Sequence, residues 1–426
     1  MKKCSIIKKS ISLAFVLLLG VSSLTACTGD RVLKKDEDLL YSVEVSSAVP
    51  KYNFTQEETS VEGYSTYSEK LTDFSLSLLK SSYKGENLLI PTLSQHQTLA
   101  LLLNGTSGKT ASELKKVISP NMDLQTLNTC NYYLQSRVSY FNTEDGGYLA
   151  DSSLWFDDLF DVKSSFTQSA KNYYSCTLAR LLLNTEDAQD KINRNTSLVT
   201  KGSFEKVLES PLENQVIYAQ SVATLTDEWA VPYTADRISV GTFEGKKGSA
   251  HVNFMTSNEK YVETEMGEGF VKSLKNTPIK FAAITPKEDC DITKLIDSLN
   301  YNRIKTMLLE SDPTAFCTVS FPEFAVSQTA SYDDVLRQMG VEQIYTEDAN
   351  FSSLTNGKGA VLSSSLTASR IEVSATGISN SAELETEGDT LKETERTLNF
   401  QKPFIYIFFD NESAVPLFIG VINNVE

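Results

Sequence analysis

An α+β domain is what this sequence predicts, and three observations predict it. Apolar residues recur at helical spacing in two segments of the first quarter of the chain, whereas the C-terminal end is written in short apolar runs of strand type. No internal repeat is visible. With 426 residues, 41% of them hydrophobic, the chain can bury the core of one large domain or two ordinary ones.

Taken in order, Met1 to Ala26 carries Lys2, Lys3, Lys8 and Lys9 ahead of an apolar run from Ile11 to Gly20, the arrangement of a secretory signal and too short for a structural membrane span. It ends in Leu24-Thr25-Ala26-Cys27, which resembles the bacterial lipobox. That resemblance implies cleavage before Cys27 and a diacylglycerol on its thiol, so the mature protein is expected on the outer face of a bacterial membrane, held by lipid. Removing four lysines and no acids moves the formal charge from −16 to −20. A protein this acidic argues against nucleic acid or an anionic lipid surface as partner. Residues 27–60 are mostly polar and without sustained periodicity, and are expected to be a flexible tether to a domain over 61–426.

Within that domain, Tyr67 to Ser82 places Leu71, Phe74, Leu76, Leu78 and Leu79 as an amphipathic first helix. Asn87 to Ile90 reads as a short buried strand, after which Ser94 is expected to cap an apolar helix from Thr98 to Asn104. Gly108-Lys109-Thr110 ends like a phosphate-binding loop, but the motif's first glycine would fall at Leu103, and a helix precedes it where a strand is needed. Cys4 leaves with the signal and Cys27 with the lipid. Cys130, Cys176, Cys290 and Cys317 remain without CxxC spacing, and no disulfide framework is expected in a chain this large. His96 and His251 lie in no HExxH or CxxC context, so neither a metal nor another cofactor is expected. GxSxG is absent, and two histidines leave little material for a hydrolase triad.

Near the C-terminus, Ser369 to Ala375 reads as a strand leading to Gly377, which permits a sharp change of direction. From Ile378 to Asp389 the residues alternate: Ile378, Asn380, Ala382, Leu384, Thr386 and Gly388 are small or apolar apart from Asn380, and every residue between them is polar. That is the period of a strand with one buried and one wet face, in a segment too charged for an ordinary core strand. Downstream, Phe400, Pro403, Phe404, the run Ile405 to Phe409, and Leu417, Phe418 and Gly420 read as a buried terminal hairpin.

On these residues the chain resembles the serpins, serine-protease inhibitors with an exposed reactive-centre loop. A hinge glycine, a variable loop, Pro-Phe before an apolar strand and a final Leu-Phe-x-Gly close those sequences in that order. Other segments follow suit: Asn87, Ser94, Leu99, Asn104, Gly105, Gly108 and Thr110; Tyr148 to Trp155; Ile192-Asn193, Thr200, Gly202 and Phe204; Trp229 to Tyr233; Phe281 to Pro286; Val319 to Phe324, which stands where the family has Leu-Pro-Lys-Phe; and Leu336 to Val341 with Ala349 to Ser352. The resemblance runs from about Tyr67 to Asn424 and implies mixed β-sheets surrounded by helices. It also implies a monomeric suicide inhibitor, whose cut loop inserts into the main sheet while still joined to the protease as an acyl-enzyme. Catalysis then belongs to the target.

By the same resemblance the hinge is Ala375, Thr376, Gly377, Ile378, Ser379, Asn380, Ser381 and Ala382. The reactive bond follows Leu391 when counted forward from Gly377, or Lys392 when counted back from Pro403. Leu391 suits an elastase-like or chymotrypsin-like extracellular protease, and Lys392 a trypsin-like one. The cluster that lets the sheet open is Ser94 with Ser221 and Thr367, the last two where the family usually has Asn and His. The chain also departs from the family at Ala375, usually Glu, at Ile378, usually a small Thr or Ser, at Pro91-Thr92, usually Ser-Pro, and at Asn195, usually Trp. The competing expectation is a non-inhibitory binding lipoprotein on the same fold, with a cleavable loop.

Overall fold

The computed structural model describes residues 39–42, 61–143, 146–379, 391 and 393–425. Along the chain, β1 (Leu39–Ser42) precedes α1 (Tyr64–Ser82), β2 (Leu88–Ile90), α2 (Thr92–Gly105), α3 (Gly108–Ile118), α4 (Leu124–Ser139), β3 (Gly147–Asp157), α5 (Ser164–Tyr173), β4 (Thr177–Leu181), α6 (Glu186–Val199) and β5 (Ile217–Thr226). The second half is mostly strand: β6 (Ile238–Gly245), β7 (Gly248–Glu263), β8 (Gly267–Ser273) and β9 (Ile279–Pro286) lead to α7 (Ile292–Ser298) and α8 (Tyr301–Leu309). Then come β10 (Phe316–Pro322), β11 (Phe324–Ala330), α9 (Asp333–Gln338), β12 (Leu362–Val373), β13 (Thr397–Asn399), β14 (Phe404–Asp410) and β15 (Pro416–Ile422). The architecture is α+β, with two mixed sheets and helices packed around them.

The first sheet has the order β1-β4-β3-β5-β12-β11, and the second runs β13-β10-β7-β8-β9-β14-β15-β2 with β6 paired to β7. Between the sheets lies the main core, which takes in Leu71, Phe74 and Leu79 of α1, Leu93 and Leu99 to Leu103 of α2, and Phe404 to Phe409 with Leu417 to Ile419 of the terminal hairpin β14 and β15. Because both faces of that hairpin are covered, the run Phe404 to Phe409 is apolar or aromatic throughout instead of alternating, and the one buried charge, Asp410, ends β14. On the other face of the first sheet a smaller cluster forms under α6, from Trp155, Tyr218, Val222, Ile192 and Val199.

Three sequence expectations change here. The helix expected from Thr98 begins at Thr92, just after Pro91, so Ser94 is an internal helix residue and caps nothing. Its polar first turns looked like loop, yet they are buried because tertiary partners satisfy them: Thr92 donates to the Pro416 carbonyl, and Thr98 Oγ1 to Ser152 Oγ. The strand expected over Ser369–Ala375 runs from Leu362 and ends at Val373. Leu39–Ser42, inside the expected tether, form an edge strand antiparallel to β4, so that stretch is not tether throughout.

Candidate functional site

At the centre of the first sheet β5 and β12 are direct neighbours and run parallel, with Ser221 opposite Thr367 and Ala223 opposite Ser369. α2 crosses beneath this seam. Ser94 and Ser221 share a hydroxyl hydrogen bond of 2.8 Å, and Ser94 Oγ also donates to the Val222 carbonyl. The structure thus brings two of the three predicted cluster residues together. Thr367 lies across from Ser221, but its hydroxyl donates instead to Gln95 Oε1 at 2.6 Å. Sequence reasoning did not single out Gln95, since the helix was expected to start only at Thr98; its place next to Ser94 was the available signal.

Beyond Val373 the chain turns across the end of the seam. Gly377 and Glu228 form an antiparallel bridge, in which Ile378 N donates to the Asp227 carbonyl at 2.7 Å and Trp229 N to the Thr376 carbonyl at 3.1 Å. Tyr233 N donates to the Ala375 carbonyl, and Trp229 Nε1 to the Ser374 carbonyl at 2.8 Å. A side chain at Gly377 is excluded by close approach, since a Cβ there would lie 2.2 Å from the Asp227 carbonyl oxygen. Ala375 and Ile378 are 2% and 1% exposed, so the hinge is packed into the core. Thr376 Oγ1 donates to the Ser379 carbonyl and closes the turn.

The platform under the hinge is rigid for local reasons. The Asp227 carboxylate accepts from Glu228 N, from the backbone and side-chain nitrogens of Asn276, and from Thr277 N and Oγ1. Lys272, 4% exposed, is paired with Glu259 and lies over the rings of Trp229 and Tyr233, which desolvates the charge without leaving it alone. Burial pushes the Tyr233 phenol up, out of the range of titration near neutrality.

On the far side of the loop Leu391 is half-buried. Thr394 Oγ1 then takes the Thr318 amide at 2.9 Å, β13 runs parallel to β10, and the Arg396 guanidinium lies over the Tyr261 ring. The described residues on either side of 380–390 are thus each held by hydrogen bonds to the sheets. Asn380, Ser381, Ala382, Lys392 and Cys27 lie outside the described residues. Asn195, where the family motif has Trp, is a buried residue of α6 and donates from Nδ2 to the Asp151 carboxylate of β3.

Among the described residues no three His, Cys, Asp or Glu side chains are grouped to hold a metal ion, and no helix is long and apolar enough to cross a membrane. The four described cysteines are free thiols. Burial pushes Cys130 and Cys317 up to about 12.

A two-sheet α+β domain, with the buried turn Ser374–Ile378 bridged to Glu228 at the end of a central parallel seam, is the architecture of one class of protein. The chain belongs to the serpin (serine protease inhibitor) family, whose profile matches residues 69–425. It is 24% identical over 364 residues to Serpin B5 of Xenopus tropicalis, covering 79% of this chain and 91% of the relative. To Serine protease inhibitor 2 of Anopheles gambiae it is 22% identical over 385 residues, with 84% of this chain and 92% of the relative covered. Among solved structures, the thermophilic serpin tengpin in its native state superposes with a TM-score of 0.80 at 24% identity, over 87% of this chain and 96% of tengpin.

Proposed function

We propose that the chain is a suicide inhibitor of extracellular serine proteases, which traps the acyl-enzyme by inserting its cleaved loop between β5 and β12. The observation that carries this reading is the rung between Gly377 and Glu228. It is an isolated antiparallel rung just past the end of β5, where a ladder antiparallel to β5 would begin. Because β12 is parallel to β5, a strand continuing from that rung is antiparallel to both neighbours and hydrogen-bonds on both edges. Ile378 already faces the core, so the alternation from Ile378 to Asp389 directs Ala382 and Leu384 inward and the glutamates to the other face. Ile378 to Leu391 is also about as long as the 12-residue β12 beside which it would lie.

In this reading the bait bond follows Leu391 or Lys392, the targets are elastase-, chymotrypsin- or trypsin-like, and the inhibitor acts as a monomer. A lipid on Cys27 holds it at the outer face of a bacterial membrane. Incubation of the lipid-free protein, from Thr28 onward, with each protease class tests it on a denaturing gel. A protease adduct that survives denaturation, with the released C-terminal fragment weighed by mass spectrometry, supports trapping and fixes the bond.

One observation favours a second reading, a non-inhibitory binding lipoprotein with a cleavable loop. The hinge lacks the family's Glu at Ala375 and its small residue at Ile378, and it is tightly packed. Clean cleavage with no adduct and no rise in the melting temperature of the cut protein would favour it.

A further inference from the structure

Two departures from the family motif meet in space. Glu323 stands where Leu-Pro-Lys-Phe has its lysine and Ala375 where the hinge has its glutamate, and Glu323 Oε1 accepts the Ala375 amide at 3.0 Å. The bond has a backbone cause. The β11–β12 ladder runs out at Phe324 and Val373, so the buried Ala375 N–H has no strand carbonyl opposite it. The carboxylate takes that place. It is fixed from below, since Glu323 Oε2 accepts from Asn253 Nδ2 of β7 at 2.9 Å and Glu323 N donates to the Asn253 carbonyl. Glu323 also lines an open cleft with His251, Asn253, Glu372 and Ser374.

Ala375 is thereby stapled across the end of the seam. Its amide goes to Glu323 on the β11 side, and its carbonyl takes Tyr233 N on the β5 side. The β5 side holds the hinge through three further bonds, at Ser374, Thr376 and Ile378. When β5 and β12 part to admit a strand, Ala375 cannot keep both partners, and the side with fewer bonds yields.

We propose that Glu323 is the positioning residue whose carboxylate holds the hinge on the β11 side and so sets how readily the loop inserts. This rests on the trapping reading. The test compares wild type, Glu323→Ala and Glu323→Gln, the last keeping an acceptor oxygen. Three quantities are measured: hydrogen exchange of the amides at 374–378 in the intact protein, the rate of conversion to a heat-resistant form below the melting temperature, and the ratio of adduct to free cleaved protein.

Removing one charge-assisted hydrogen bond is expected to speed both hinge exchange and conversion by about tenfold in Glu323→Ala and to raise the adduct share, with Glu323→Gln, which keeps a neutral acceptor, between Glu323→Ala and wild type. Unchanged hinge exchange in Glu323→Ala, or a lower melting temperature with an unchanged conversion rate, overturns the proposal while wild-type trapping stands. A wild type that forms neither adduct nor heat-resistant cleaved form overturns the trapping reading itself, and with it any role in release.

Discussion

Gly377→Ala reports directly on the rung that begins the ladder. The added methyl would lie 2.2 Å from the Asp227 carbonyl oxygen and 2.6 Å from Glu228 Cα, both backbone atoms that cannot swing away. The hinge must lift instead. Lifting gives up the Ile378 N and Trp229 N hydrogen bonds, at about 1 kcal/mol each, and the burial of Ile378, worth about 2 kcal/mol. The loss is therefore capped at about 4 kcal/mol, which for a domain of this size corresponds to a fall of about 5 °C in melting temperature. Hydrogen exchange should show the same event locally, with amides around Ile378 losing protection while those of β14 and β15 keep theirs. A variant that melts within about 1 °C of wild type and keeps its hinge amides protected would refute the claim that this close approach holds the hinge.

Other outcomes follow from buried groups. Burial lowers His96 from 6.5 to about 4, so between those values the unfolded chain binds a proton that the folded one refuses. Stability should rise with pH across that window by up to about 1.4 kcal/mol per unit from this group, and urea melts of His96→Gln should lack that share of the slope. Arg137 is the charged partner of the fully buried Asp410, with Nε 2.7 Å from Oδ1. Arg137→Met strands that carboxylate and should cost about 3 kcal/mol in denaturant melts, although Ser413 N and Oγ still donate to it. Cys130 and Cys317, pushed up to about 12, should resist a thiol reagent at pH 8 in the folded protein, whereas the partly exposed Cys290 reacts first; mass mapping of the labelled sites checks it.

Much of the fold was legible because it is periodic. The spacing of Leu71, Phe74, Leu78 and Leu79 gave α1, and the unbroken apolar runs gave β14 and β15. The start of α2 was not legible, since Thr92, Ser94, Gln95 and Thr98 carry polar side chains whose partners, Pro416, Ser221, Thr367 and Ser152, are far away in the chain. Local pattern reports which face is wet only when burial follows polarity, and there it does not. Leu39–Ser42 were hidden for the opposite reason, being too short to show a period.

By itself the sequence determined the α+β class, the family and the alternation from Ile378 to Asp389, because each is written in local spacing or in residue order. Only the tertiary structure decided that the hinge is already turned onto Glu228, that Gln95 and not Ser221 takes the Thr367 hydroxyl, and that Glu323 meets Ala375. The physical reason is the same in all three. A hydrogen bond between residues tens or hundreds of positions apart leaves no periodicity in either segment, and its partner is chosen by which strand ends and helix faces the fold brings within about 3 Å.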